Sequence, residues 1–170
     1  MLGVTDPIDP LLRRDATRSN VIRETIDVRS LYRDNRARLV GLAAAITLDA
    51  ATAEEVVQEA FEGLQRHVGE IANPLGYLQR SVVNLGITVI RRRRVAERHP
   101  TAHPPLASAP EIDEAWAAVI RLPARQRAVV VLRFWQDQTI DTIAETLGWP
   151  SGSVKSTLHR ALKRLEEELS

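Results

Sequence analysis

Apolar residues recur at helical spacing along most of this chain. Leu31, Leu39, Leu42, Ala43 and Ile46 mark a first long helix ending near Leu48, with Arg33, Arg36 and Arg38 on its wetter faces. Val56, Val57, Ala60, Phe61 and Leu64 mark a second helix that ends near Gly69. Thr52-Ala53-Glu54-Glu55 reads as its capping box, with the Thr52 hydroxyl accepting from the Glu55 N–H and Glu55 reaching back to the N–H of Thr52. Asn73-Pro74 supplies an N-cap and a first-turn proline for a third helix, Leu75 to about Arg94, striped by Leu78, Val82, Leu85 and Val89. Its β-branched residues would suit a strand, but its length and the Asn-Pro start decide for helix. Gly86 inside it costs about 1 kcal/mol against alanine, so a neighbour should approach closely there.

The second half is patterned more tightly. Ile112, Trp116, Val119 and Ile120 form one helix, Leu122-Pro123 breaks it, and the next runs through Val129, Val130, Leu132 and Phe134 to a turn at Trp135-Gln136-Asp137-Gln138. From Thr139 to Leu165 the chain reads as a helix-turn-helix. Thr139 caps a short helix striped by Ile140, Ile143, Ala144 and Leu147, and Gly148 stops it because glycine enters the left-handed C-cap at little cost. Trp149-Pro150 crosses the turn, and Pro150 has the φ that a helix start accepts. The last helix has a buried stripe of Val154, Leu158, Ala161, Leu162 and Leu165. Its outer faces keep Ser153, Lys155, Ser156, Thr157, His159, Arg160 and Lys163. Trp135 and Trp149 are expected to be packing residues.

Residues 95–110 hold four prolines with little periodicity and read as a linker. Residues 1–26 read as a flexible N-terminal arm with a short helix near Val21–Ile26. The expected class is therefore all-α. Two small helical domains, residues 27–94 and 111–170, are joined by the proline-rich linker, and the C-terminal one is a helix-turn-helix.

Composition narrows the chemistry. The 170 residues contain no cysteine, which removes disulfides and thiolate metal sites and suits the cytoplasm. The N-terminal stretch has acids and prolines where a signal peptide needs an apolar core, and the longest apolar run, Val82 to Ile90, is too short to span a bilayer. His99 and His103 are spaced as helical ligands, but Pro100, Pro104 and Pro105 oppose a helix there, so no metal site is expected. There is no glycine-rich phosphate loop, no zinc motif and no nucleophile elbow, hence no expected catalytic residue or cofactor. A net charge of +1 means that any nucleic-acid binding must come from local clusters. Arg91 to Arg94 form one, whereas acids gather at Glu54, Glu55, Glu59 and Glu62 and again at Glu166 to Glu168.

Each cluster has a plain alternative. The acidic helix face can simply meet water, and the last two helices can be an ordinary hairpin. The short first helix, the glycine in the turn and the hydroxyls opening the second helix favour DNA, because hydroxyls and N–H groups at a helix start hold phosphate while Lys155 and Arg160 add charge.

Four stretches together resemble the extracytoplasmic-function group of the sigma-70 family of RNA polymerase initiation factors. They are Leu31-Tyr32-Arg33 through Leu39-Val40, Glu55-Val56-Val57-Gln58-Glu59-Ala60-Phe61, Tyr77-Leu78-Gln79-Arg80-Ser81-Val82-Val83-Asn84, and Leu122-Pro123 through Leu165 with Gly152-Ser153-Val154-Lys155-Ser156 inside it. The resemblance covers about residues 28 to 168. It implies that Glu55, Gln58, Glu59, Phe61 and Glu62 dock the coiled coil of the polymerase β′ subunit. It implies that the third helix recognises and melts the −10 promoter element, with Asn84 near a captured base and Arg80, Arg91, Arg92, Arg93 and Arg94 on phosphate. Ser151, Ser153, Lys155, Ser156, Thr157, His159, Arg160 and Lys163 would serve the −35 duplex. The linker would thread towards the active-site and RNA-exit channels. Implied partners are core RNA polymerase, through its β′ coiled coil and β flap, promoter DNA, and an anti-sigma factor.

Three departures from the family pattern stand out. Thr157 replaces a usual arginine, so one DNA contact is lost or replaced. Leu85-Gly86-Ile87-Thr88-Val89-Ile90 follows Asn84 where polar residues are common, and Thr142 stands where an acid often supports the cap. Two rival readings remain. A stand-alone helix-turn-helix regulator explains residues 111–168 but leaves the first domain unexplained. A helical protein adaptor leaves Arg91 to Arg94 and the helix-turn-helix unexplained.

Overall fold

The computed structural model describes residues 27–96 and 114–170, and the expectations for the arm, for the linker from residue 97 onward and for Ile112 lie outside them. Every regular element among the described residues is helical. Helix α1 spans Val28–Thr47, α2 Ala50–Arg66 and α3 Pro74–Ala96. Then come α4, Glu114–Arg121, α5, Ala124–Val130, which runs on into a π-helical turn at Val131–Trp135, α6, Ile140–Leu147, and α7, Ser151–Leu169.

The corner between α1 and α2 is tighter than the sequence suggested. Leu48 ends α1 in the left-handed region at φ 58°, and its N–H closes on the Ala44 carbonyl at 2.8 Å. Asp49 follows at once as the N-cap of α2, its carboxylate accepting from the Thr52 N–H at 2.7 Å. The capping box expected at Thr52 to Glu55 is thus not formed. Thr52 lies inside the first turn and is buried, and the helix starts three residues earlier and ends at Arg66. Asn73 does cap α3, accepting from the Gly76 N–H at 2.9 Å, with Pro74 in the first helical position.

The expected close approach at Gly86 is present. A β-carbon there would stand 2.9 Å from Cγ2 of Ile46, so α3 and α1 touch where only glycine fits without movement. Helices α1, α2 and α3 pack pairwise, while α7 packs on α4, α5 and α6. The two groups also meet each other, α5 lying on α1 and α3, and α6 on α3. Their buried residues merge in one apolar layer that runs from Leu42, Ile46, Val82 and Val83 to Ala128, Leu132, Ile143 and Leu147.

Along α7 the buried line is Val154, Thr157 and Ala161, with Leu158 and Leu165 half-buried on its flank. This corrects two expectations: Thr157 faces the core rather than DNA, and Leu162 is 42% exposed rather than buried. The π-helical turn swings Phe134 and Trp135 outward, although Trp135 still packs edge-on to Trp116 at 5.2 Å between centroids.

Candidate nucleic-acid and protein interfaces

The helix-turn-helix is built by the residues expected. Thr139 Oγ1 accepts from the Thr142 N–H at 3.1 Å, and the two hydroxyls lie 2.8 Å apart. Gly148 takes the left-handed conformation at φ 64°, its N–H donating to the Glu145 carbonyl at 3.3 Å. The Trp149 N–H closes on the Ala144 carbonyl, and Ser151 Oγ donates to Asp141 at 3.2 Å, tying the start of α7 to the start of α6. Lys155, Ser156, His159, Arg160 and Lys163 are exposed along one side of α7, with Ser151 and Ser153 half-buried at its start. Ser156 Oγ and Arg160 Nε rest on carbonyls of their own helix, at Ser153 and Ser156. Nothing lies within 4 Å of a β-carbon placed at Gly152, so the first turn of α7 leaves its backbone open to an approaching phosphate.

The acidic face of α2 is also exposed. Glu55, Gln58, Glu59 and Glu62 share one side at i, i+3, i+4 and i+7, and Gln58 Nε2 donates to Glu62 at 3.0 Å. Phe61, expected with them, lies mostly beneath that surface. Only 4% of it is exposed, and its ring meets Tyr32 edge-on at 4.8 Å. It lines a groove of about 340 Å³ between α1 and α2, together with Val28, Tyr32, Gln58 and Gln65.

The residues expected on the −10 element divide into three. Arg91, Arg92 and Arg94 are exposed, whereas Arg93 is half-buried and donates to the Thr52 hydroxyl, pinning α3 to α2. Asn84 is half-buried on α3. Arg80 is packed beneath the helix-turn-helix: a β-carbon at Gly148 would collide with its guanidinium. Nearby, Gln79 Nε2 donates to the Gln136 side chain at 3.2 Å.

Sequence reading missed Arg127. Only 4% exposed, it donates through Nη1 to the carbonyls of Ile120 at 2.8 Å and Leu122 at 2.6 Å, and through Nη2 to the carbonyl of Ile46. One guanidinium thus gathers the C-terminal ends of α4 and α1, where carbonyls lack helical partners and the helix dipole favours a cation. Burial pushes its pKa down to about 10, with the positive charge of Arg94 adding to the effect, so it stays charged at neutral pH.

Residues 31–95 match the family model described as sigma-70 region 2, and residues 112–165 the one described as sigma-70, region 4. The chain is 33% identical over 156 residues to an RNA polymerase sigma-E factor of Streptomyces avermitilis, covering 86% of this chain and 87% of that one. It is 33% identical over 146 residues to the ECF RNA polymerase sigma factor SigM of Mycobacterium tuberculosis, covering 79% and 73%. Among solved structures, the fold is similar to that of the sigma factor RpoE in its complex with the anti-sigma factor NepR from Bartonella quintana. The TM-score is 0.65 at 21% identity, covering 84% of this chain and 96% of that one.

Proposed function

The chain belongs to the extracytoplasmic-function group of sigma-70 RNA polymerase sigma factors, and we propose that it divides that work between two faces. The acidic side of α2 docks the β′ coiled coil of core polymerase. The exposed side of α7 takes the −35 duplex. The observation that carries this is the coexistence on one chain of a basic, hydroxyl-rich reader face clear of other elements and a separate acidic face beside an open groove. A stand-alone regulator has no use for the second. The protein would act in the cytoplasm, without catalysis of its own, and no helix among the described residues is long and apolar enough to cross a membrane.

The packing of the two halves bears on the mechanism. The −35 and −10 elements lie roughly 25 base pairs apart, about 85 Å of duplex at about 3.4 Å per step. Yet Arg80, expected near the −10 element, lies against the turn that leads into α7. One closed molecule cannot hold both elements. The closed form is the free state, and polymerase binding separates α5 and α6 from α1 and α3. RpoE of Bartonella quintana is held by an anti-sigma factor, and a protein inhibitor of that kind is a partner proposed here.

Reconstitution tests the function directly. Core polymerase with this protein should start transcription at discrete sites on genomic fragments, and core alone should not. Promoter-independent DNA binding by the free protein, with no effect on core polymerase, would favour the stand-alone regulator.

A further inference from the structure

Arg125 and Trp149 form a contact between the start of α5 and the turn that leads into α7. Arg125 is the second residue of α5, is exposed, and holds its guanidinium 3.9 Å from the centroid of the Trp149 indole. Among the described residues no carboxylate pairs with it. A cation at a helix N-terminus stands against the helix dipole, so this position does not serve helix stability. Trp149 lies two residues before α7 and is half-buried, with one side of its ring covered by Arg125. A guanidinium seated over the ring by its central carbon keeps N–H donors at its rim free to meet an anion.

The placement identifies that anion. Reader helices enter the major groove by their N-terminal ends, so the residues just before the helix run beside the phosphates that wall the groove. Trp149 and Pro150 occupy that place, and the indole holds Arg125 next to it.

We propose that Arg125, positioned by Trp149, is a sequence-independent phosphate clamp on the duplex that α7 reads. The clamp rests on the reading of α7 as the −35 reader, and it differs from that reading in what it governs. Base contacts set preference, whereas a phosphate contact sets affinity for every sequence and its dependence on salt. Trp149 is a positioning residue, since it removes the rotamer freedom of a long side chain before DNA arrives.

The test uses holoenzyme reconstituted with the full chain. Its probes are a promoter fragment recovered from the transcription assay and the same fragment with a scrambled −35 element, titrated across potassium chloride concentration. Arg125→Ala should weaken both probes by the same factor, roughly three- to tenfold, and reduce the magnitude of the log–log salt slope by about 0.9. Arg125→Lys should restore most of the slope. Trp149→Leu, with Arg125 retained, should lose part of the affinity on both probes. An unchanged slope in Arg125→Ala, or a changed preference for native over scrambled DNA, would overturn the clamp. Failure of the −35 reading has a different signature: unmodified holoenzyme would not distinguish the two probes, while the slope change for Arg125 would still be measured on either.

Discussion

Replacing Arg127 by methionine puts the largest structural weight on one atom group. The substitution keeps an apolar stem of similar reach and removes a charged donor that meets three carbonyls, those of Ile120, Leu122 and Ile46. Hydrogen bonds from a charged donor contribute about 1.5–3 kcal/mol each, so roughly 4.5–9 kcal/mol is at stake. Against this stands the cost of burying the charge. The depression of the pKa to about 10 corresponds to roughly 3.5 kcal/mol, at about 1.4 kcal/mol per pH unit. The difference is about 1–5.5 kcal/mol of destabilisation, because the three carbonyls lose their donor. Urea unfolding followed by circular dichroism measures it. Because the Ile46 carbonyl belongs to α1 and Arg127 to α5, amide exchange near the end of α1 should also quicken. A loss below about 1 kcal/mol, with exchange at Ile46 to Leu48 unchanged, would refute the role given to this guanidinium.

Asp49→Ala should cost about 1 kcal/mol of stability in the same assay, whereas Glu55→Ala, outside the observed cap, should cost almost nothing. Gln58→Ala combined with Glu59→Ala should weaken core polymerase binding by about 1–3 kcal/mol in a pull-down titration while thermal unfolding stays unchanged, since both side chains are exposed. Neutralising Arg91 and Arg92 should lower promoter affinity alike on all sequences and cut the salt slope by roughly 0.7–0.9 per lost contact. Arg93→Ala should instead lower stability, because its guanidinium is tied to Thr52.

Several elements were legible because local chemistry and tertiary packing agree. Asn73-Pro74, Thr139 and Gly148 are caps whose side chain or missing side chain does the work within three or four residues. Gly86 was legible by its cost, and Ile46 explains it. The corner at Leu48-Asp49 was hidden because a leucine, not a glycine, takes the left-handed conformation, with its N–H closing on the Ala44 carbonyl and the Asp49 cap following at once. Thr157 was assigned outward by residue type. Its position three residues after Val154 and four before Ala161 turns it inward, and Leu162 falls outside that line. Phe61 is expected on the docking surface only through the family resemblance, and its ring is buried against Tyr32. The contact of Arg127 with Ile46 and the Arg125–Trp149 pair join residues distant in sequence, so no local pattern could announce them.

Site-specific crosslinking examines the division of labour between the two DNA elements most directly. A photoreactive side chain at Ser156 on α7, and separately one at Asn84 on α3, would be carried into holoenzyme on promoter DNA. The label at Ser156 should attach to duplex in the −35 element. The label at Asn84 should attach to a single strand in the −10 element, and only when core polymerase is present. Crosslinks from both labels to the same short stretch of DNA, or crosslinks from Asn84 in the absence of polymerase, would contradict both the assignment of the two surfaces and the opening of the closed form.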